Sequence, residues 1–168
     1  MTTLFLVRHG ETVDNARMVM QGQTPGQLND EGRRQAHELS DRLKDEHLDA
    51  VVASDLRRSV ETAEILARPH RLEVVTTPLL RERDWGDFTG RFIPDLRGEV
   101  WPDNVETQEA LLGRARRFLD FIHREYPGQR VLAVGHGIIN KAIQSVYYGK
   151  PMQEIEKMKN AEVRILGI

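Results

Sequence analysis

Short apolar runs alternate along this chain with stretches whose apolar residues recur at helical spacing, and this alternation restricts the fold more than any other feature. Leu4 to Val7 is a continuous apolar run stopped by Arg8-His9-Gly10, the pattern of a strand buried on both faces. After a polar loop, Asn29-Asp30 offers a helix cap, and Ala36, Leu39 and Leu43 follow at helical spacing. Asp49 to Ala53 predicts a second strand. Ser54-Asp55 then predicts the cap of a helix with Leu56, Val60, Ala63 and Ala67 on its inner face, ended by Pro69. Leu72 to Thr76 predicts a third strand. Leu111, Ala115, Phe118, Leu119, Ile122 and Tyr126 mark a long amphipathic helix stopped by Pro127-Gly128. Arg130 to Val134 predicts a fourth strand, and Ile138, Ile139, Ala142, Ile143 and Val146 an apolar helix. A short helix around Met152–Lys159 and a strand at Ala161–Leu166 complete the series. Strands alternating with helices predict an α/β fold, a three-layer α/β/α sandwich around a mainly parallel sheet.

With 168 residues and no linker, repeat or low-complexity tract, the chain is expected to form a single domain over 1–168. The pattern fails only from Arg81 to Asp103, where Gly86, Gly90, Pro94, Gly98 and Pro102 punctuate a segment holding both tryptophans. A small cap at about 83–105 is expected there. The formal charge is −2, so no global basic field exists for gripping nucleic acid. Cysteine is absent, which excludes a disulfide framework, a thiolate zinc site and a cysteine nucleophile. No apolar run approaches the roughly 20 residues that span a bilayer, so no membrane partner is expected. Thr3 to Val7 is too short for a signal segment, and a cytoplasmic protein is expected.

In open parallel sheets, ligands bind at the carboxyl ends of the strands. Three strands here end in reactive sequences: Arg8-His9-Gly10-Glu11-Thr12, Ser54-Asp55-Leu56-Arg57-Arg58 and Gly135-His136-Gly137. The sheet would bring all three to one edge, despite the 127 positions (136 − 9) between the two histidines. Histidines and arginines converging there would form a pocket rich in donors, suited to a phosphate.

These blocks, in this order, resemble the histidine phosphatase superfamily with its phosphoglycerate mutase-like fold. The likeness extends through Gln21-Gly22, Leu28 to Ala36, Glu61-Thr62-Ala63-Glu64 and Leu80-Arg81-Glu82, leaving out only Arg91 to Val105. It implies a phosphatase with His9 as nucleophile, holding the phosphoryl group as phosphohistidine. Arg8, Arg58 and His136 would hold the phosphoryl oxygens, with Asn15, Gln21, Gly22 and Gly137 completing the phosphate pocket. Arg58 is preferred to Arg57, which would point elsewhere on the helix. Glu82 matches the general acid/base, a single carboxylate serving both half-reactions. Glu11, beside the nucleophile, would suffer like-charge repulsion from phosphate, so it is expected to be structural and bonded to backbone or arginine. His37, His47, His70 and His123 are expected at the solvent. No cluster of His, Asp and Glu suggests a metal, and neither metal nor cofactor is expected.

The family includes mutases as well as phosphatases. Here the insertion after Glu82 is short, and Asn104-Val105-Glu106 stands where Gly-Gly-Glu is usual. Only 32 residues (168 − 136) follow His136, all needed for the last elements. A mutase is expected to need a larger cap and a closing tail to keep its phosphohistidine dry, so hydrolysis is the leading expectation. Phosphoglycerate mutase-type transfer is the alternative within the fold, and a non-catalytic phospho-ligand-binding protein the alternative outside it. Arg81, Arg83, Arg91 and Arg97 at the mouth suggest an anionic substrate, and Trp85, Phe88, Phe92 and Trp101 are expected to pack the cap. The resemblance implies a phosphorylated small molecule as the expected partner. Sugar phosphate, α-ribazole phosphate, phosphoglycerate and phosphoprotein all stay open, as does the oligomeric state.

Overall fold

The computed structural model describes residues 1–168. Its strands are β1 (Thr3–Arg8), β2 (Ala50–Ser54), β3 (Val74–Thr77), β4 (Arg130–Gly135) and β5 (Val163–Gly167). Its helices are α1 (Val13–Arg17), α2 (Asp30–Leu43), α3 (Arg57–Ala67), α4 (Gln108–Glu125) and α5 (Gly137–Tyr148). One sheet runs in the order β3-β2-β4-β1-β5. The first four strands of that order are mutually parallel, and β5 closes one edge antiparallel to β1.

Alternating side chains explain why the central strands read as continuous apolar runs. Leu4 and Leu6 of β1 join Val52, Val131 and Ala133 beneath Leu111, Ala115, Phe118 and Ile122 of α4 and Ile139, Ala142 and Ile143 of α5. Phe5 and Val7 join Val51, Ala53, Leu132 and Val134 on the other face, under Leu39 and Leu43 of α2 and Ala63, Leu66 and Ala67 of α3. Both faces are covered, so neither set of alternate positions tolerates polar side chains. This is the expected three-layer sandwich.

The register prepares the site. Arg8 pairs with Gly135, and Ala53 with Val134, so β1, β2 and β4 end level with one another. His9 and His136 are the next residues of their strands and therefore emerge side by side. Gly10 lets α2 approach the end of β1 closely: a Cβ there would stand 2.5 Å from the Gly32 carbonyl oxygen in the first turn of α2. The helix ends follow local chemistry, with Asn29 capping α2 through the Gly32 N–H and Thr107 capping α4 through the Ala110 N–H.

Some local expectations are corrected. Helix α1 lies where a loop was expected. Thr12 caps it reciprocally with Asn15, a weaker variant of the Ser/Thr-x-x-Glu/Gln pattern. Helix α3 begins at Arg57, and its N-cap Leu56 has no side-chain cap bond. Ser54 instead accepts from the Leu56 N–H, and Asp55 pairs with Arg81. Leu66, not Val60, completes the buried face of α3. Strand β3 starts later than expected, at Val74. Only the single 3-10 turn Met152–Glu154 forms where a helix to Lys159 was expected, because Ile155 adopts extended backbone. Between Arg81 and Glu106 the chain makes 3-10 turns at Gly86–Phe88 and Ile93–Leu96. Phe88, Leu96 and Val105 form a small cluster of their own against Met20 and Trp85.

Candidate active site

A cleft of about 180 Å³ opens at the carboxyl edge of the sheet, lined by Arg8, His9, Asn15, Gln21, Gly22, Arg58 and Glu82 among others. His9 is buried, and its Nδ1 lies 2.7 Å from the Gly10 carbonyl oxygen. A carbonyl only accepts, so Nδ1 carries the proton and Nε2 keeps the lone pair. Burial, then the nearby Arg58 and Arg8 guanidiniums, hold its pKa well below the ordinary histidine value. The ring is a neutral imidazole at neutral pH, with one nitrogen available to attack.

The two arginines are fixed by backbone. Arg58 Nη1 donates to Thr24 O at 2.5 Å, and its Nη2 donates to Gly22 O at 2.8 Å. Arg8 Nη1 donates to Met158 O at 2.7 Å. In each guanidinium Nε is buried without a partner. Neither arginine has a carboxylate within 4.0 Å, although Arg58 is 1% exposed. Burial lowers the pKa of Arg8 and brings that of Arg58 down to about 10, so both stay cationic at neutral pH. Unpaired buried cations are costly unless an anion joins them. Arg57 is exposed, as expected.

His136, with Gly137, lies outside the lining of the cleft: it stands behind His9, the ring centroids 5.0 Å apart, and Ser54 and Ser59 both reach its Nε2. Gly137 leaves room for Arg8, whose Cζ would be 3.4 Å from a Cβ there. Gly22 acts through its carbonyl on Arg58. Asn15 Oδ1 accepts from the Thr12 N–H and from Asn160 Nδ2, which leaves its own amide N–H groups for the cleft. Gln21 is buried with Oε1 unpartnered.

Glu82 places its carboxylate at the start of α5, accepting from the N–H of Ile138 and Ile139 at 3.0 Å each and from its neighbour Arg83. Oε2 takes only the Ile138 N–H, so a lone pair on it stays free to carry a proton. Arg114 positions the segment. Its guanidinium pairs bidentately with Glu106 and donates to the carbonyls of Leu79, Arg81 and Glu82.

Other expectations shift. Glu11 is structural, but its partner is the Asn29 side chain rather than backbone or arginine. Arg81 is neutralised by Asp55 and Arg91 by Glu99, which removes both from the set of free cations. Arg83 stacks on Trp85 and Trp101. Trp85 lines the cleft, Phe88 packs the cap, and Trp101, though half-exposed, packs edge-to-face on both, whereas Phe92 is exposed. His37, His47 and His123 are exposed, but His70 is half-buried with Nε2 enclosed. No group of three His, Cys, Asp or Glu side chains could hold a metal. Lys157, not anticipated from the sequence, lines the cleft beside Arg8 and has no acidic partner. The signal for it was hidden, because a helix over 152–159 would have turned it elsewhere.

The buried imidazoles set a pH dependence. Burial and the arginines also hold His136 well below its usual pKa. As pH falls below about 6.5, the unfolded chain takes up protons that the native state refuses, so stability falls. The slope should approach about 1.4 kcal/mol per pH unit for each imidazole within that window. Thermal melts between pH 7.5 and 5 should show this loss, and His9→Asn should make it shallower. An unchanged slope would place the native His9 proton affinity near that of the unfolded chain.

The histidine phosphatase superfamily (branch 1) model matches residues 4–168. The chain is 37% identical over 166 residues to the "Uncharacterized phosphatase PhoE" of Bacillus subtilis (strain 168), covering 96% of this chain and 86% of that one. It is 34% identical to "Phosphoglycerate mutase-like protein 4" of Arabidopsis thaliana, covering 98% and 79%. The solved mycobacterial glucosyl-3-phosphoglycerate phosphatase in complex with VO3 superimposes with a TM-score of 0.89 at 28% identity, covering 98% and 92%.

Proposed function

The chain belongs to the histidine phosphatase superfamily and is of its phosphomonoester hydrolase class, and we propose that it works through a phosphohistidine on His9. One observation carries this reading: two guanidiniums without carboxylate partners, Arg58 buried and Arg8 half-buried, flank a neutral imidazole that has one free nitrogen. In the first step the His9 Nε2 lone pair forms a bond to phosphorus and the P–O ester bond breaks. Glu82 donates its proton to the leaving oxygen. Arg8, Arg58 and His136 hold the equatorial oxygens, and the Asn15 amide adds a donor. Gln21 and Gly22 line the pocket, the Gly22 carbonyl fixes Arg58, and Gly137 gives Arg8 its place. In the second step water attacks phosphorus, the P–N bond breaks, and Glu82 takes the water's proton. Stabilisation of the transferring oxygens by fixed cations supplies the largest share of the rate.

The unit is one domain with residues 83–105 as its cap. That cap rests on a three-residue cluster, Phe88, Leu96 and Val105, which favours water's entry over retention of the phosphoenzyme. Mutase-type transfer remains the second reading, favoured by the likeness to the Arabidopsis protein. Supplying 3-phosphoglycerate and measuring both products separates the two. Release of inorganic phosphate faster than isomerisation supports the phosphatase, and the reverse supports the mutase. EDTA should leave the rate unchanged, since no side-chain cluster here could hold a catalytic metal. A loss restored by Mg²⁺ or Zn²⁺ would contradict that mechanism.

The substrate is a phosphorylated small molecule, and Lys157 adds a cation at the mouth with no acidic partner. Burial and the neighbouring Arg8 lower its pKa, Glu82 opposing them. This favours leaving groups that bear a second anion. Lys157→Met should raise KM roughly tenfold for phosphoserine or phosphoglycerate at unchanged kcat, and barely alter it for p-nitrophenyl phosphate. Equal losses on both would assign Lys157 to the transferred phosphoryl group instead.

A further inference from the structure

Ser54 ends β2 and Ser59 lies in the first turns of α3, and both side chains converge on one nitrogen of His136. The Ser54 Oγ stands 2.9 Å and the Ser59 Oγ 3.1 Å from Nε2. All three residues are fully enclosed. Beyond this nitrogen, Ser54 Oγ only accepts, from the Leu56 N–H at 3.2 Å, and Ser59 Oγ has no other partner. If Nε2 carried the ring proton, both hydroxyl hydrogens would be buried with no acceptor. A lone pair on Nε2 gives a hydroxyl hydrogen its partner and leaves the ring proton on Nδ1. Nδ1 is itself buried without a partner, like the Nε atoms of Arg8 and Arg58.

We infer that Ser54 and Ser59 are positioning residues that lock His136 as its neutral Nδ1–H tautomer, making it a donor to the phosphoryl oxygens rather than a base. The inference rests on the phosphatase reading for its purpose, but the tautomer belongs to the free protein. Register supports it: Ser54 sits at the end of β2, level with the ends of β1 and β4, where His9 and His136 begin. The opposite tautomer would leave Nδ1 with a lone pair and no proton to offer an anion.

Nitrogen-15 NMR of histidine-labelled protein tests this directly. Wild type should show a protonated, pyrrole-type Nδ1 and an unprotonated, pyridine-type Nε2 for His136. The double variant Ser54→Ala, Ser59→Ala should populate the Nε2–H form and bind orthovanadate at least tenfold more weakly. A structural role alone would lower the melting temperature without moving the tautomer. An Nε2–H ring in wild type overturns the inference, as does a folded double variant with unchanged tautomer and vanadate affinity. If the double variant fails to fold, the wild-type spectrum still decides. Failure of wild type to bind vanadate at all, with the Nδ1–H tautomer present, would count against the phosphatase reading and not against the lock.

Discussion

His9→Ala should abolish hydrolysis of phosphomonoesters, lowering kcat by at least about 10³-fold, while the protein stays folded. The expectation follows from position as well as chemistry. His9 follows the last residue of β1, and its Nδ1 is committed to the Gly10 carbonyl, so Nε2 alone is available to bond phosphorus. No cysteine exists to substitute, and His136 has its Nε2 engaged by two serines. Removing the ring leaves Arg8 and Arg58 in place, because backbone carbonyls hold both. The variant should therefore still bind phosphate or vanadate. Steady-state kinetics alongside vanadate titration would check this, and activity above a tenth of wild type would place the nucleophile elsewhere.

Glu82→Gln should separate acid catalysis from binding. An alkoxide leaves poorly without a proton, whereas nitrophenolate is already a stable anion. General acid help contributes roughly 10²- to 10⁴-fold where it is needed. Phosphoenzyme formation on alkyl and sugar phosphates should fall by about that factor, with p-nitrophenyl phosphate spared by comparison. Glu82 also serves the second step, so rapid-quench measurement of phosphoenzyme formation is required to isolate the first. The glutamine keeps one oxygen to accept from the start of α5 and keeps the side chain's size, so folding should be little changed. Equal slowing on both substrate types would reduce Glu82 to a binding role and direct the search for the acid to Glu11, Asp84 and Asp87.

The sheet and its reactive edge were legible because their causes are local. Leu4 to Val7 and Val131 to Val134 are apolar without interruption since both faces are covered, and the residues that follow these strands meet because parallel strands end level. What was not legible depends on distant partners. Thr107 to Arg114 keeps a spacing of the resembled family, but spacing does not tell that Arg114 is buried and holds the carbonyls of Leu79, Arg81 and Glu82 in place. Arg81 and Arg91 read as free cations at the mouth until Asp55 and Glu99 are seen to pair with them. The segment after Met152 has the spacing of a helix, but its carbonyl at Met158 is taken by Arg8 and its Asn160 side chain by His9 O. Those contacts place Lys157 in the cleft, and sequence spacing carries no trace of them.

The central claim is a covalent phosphohistidine on His9, and trapping it is the most direct measurement. Wild-type enzyme mixed with a ³²P-labelled monoester and quenched within milliseconds should carry label stable in alkali and lost in acid, as a phosphoramidate is. Digestion should place that label on the peptide containing His9, and His9→Ala should carry none. Label that survives acid, label on another peptide, or full turnover by His9→Ala would contradict the account.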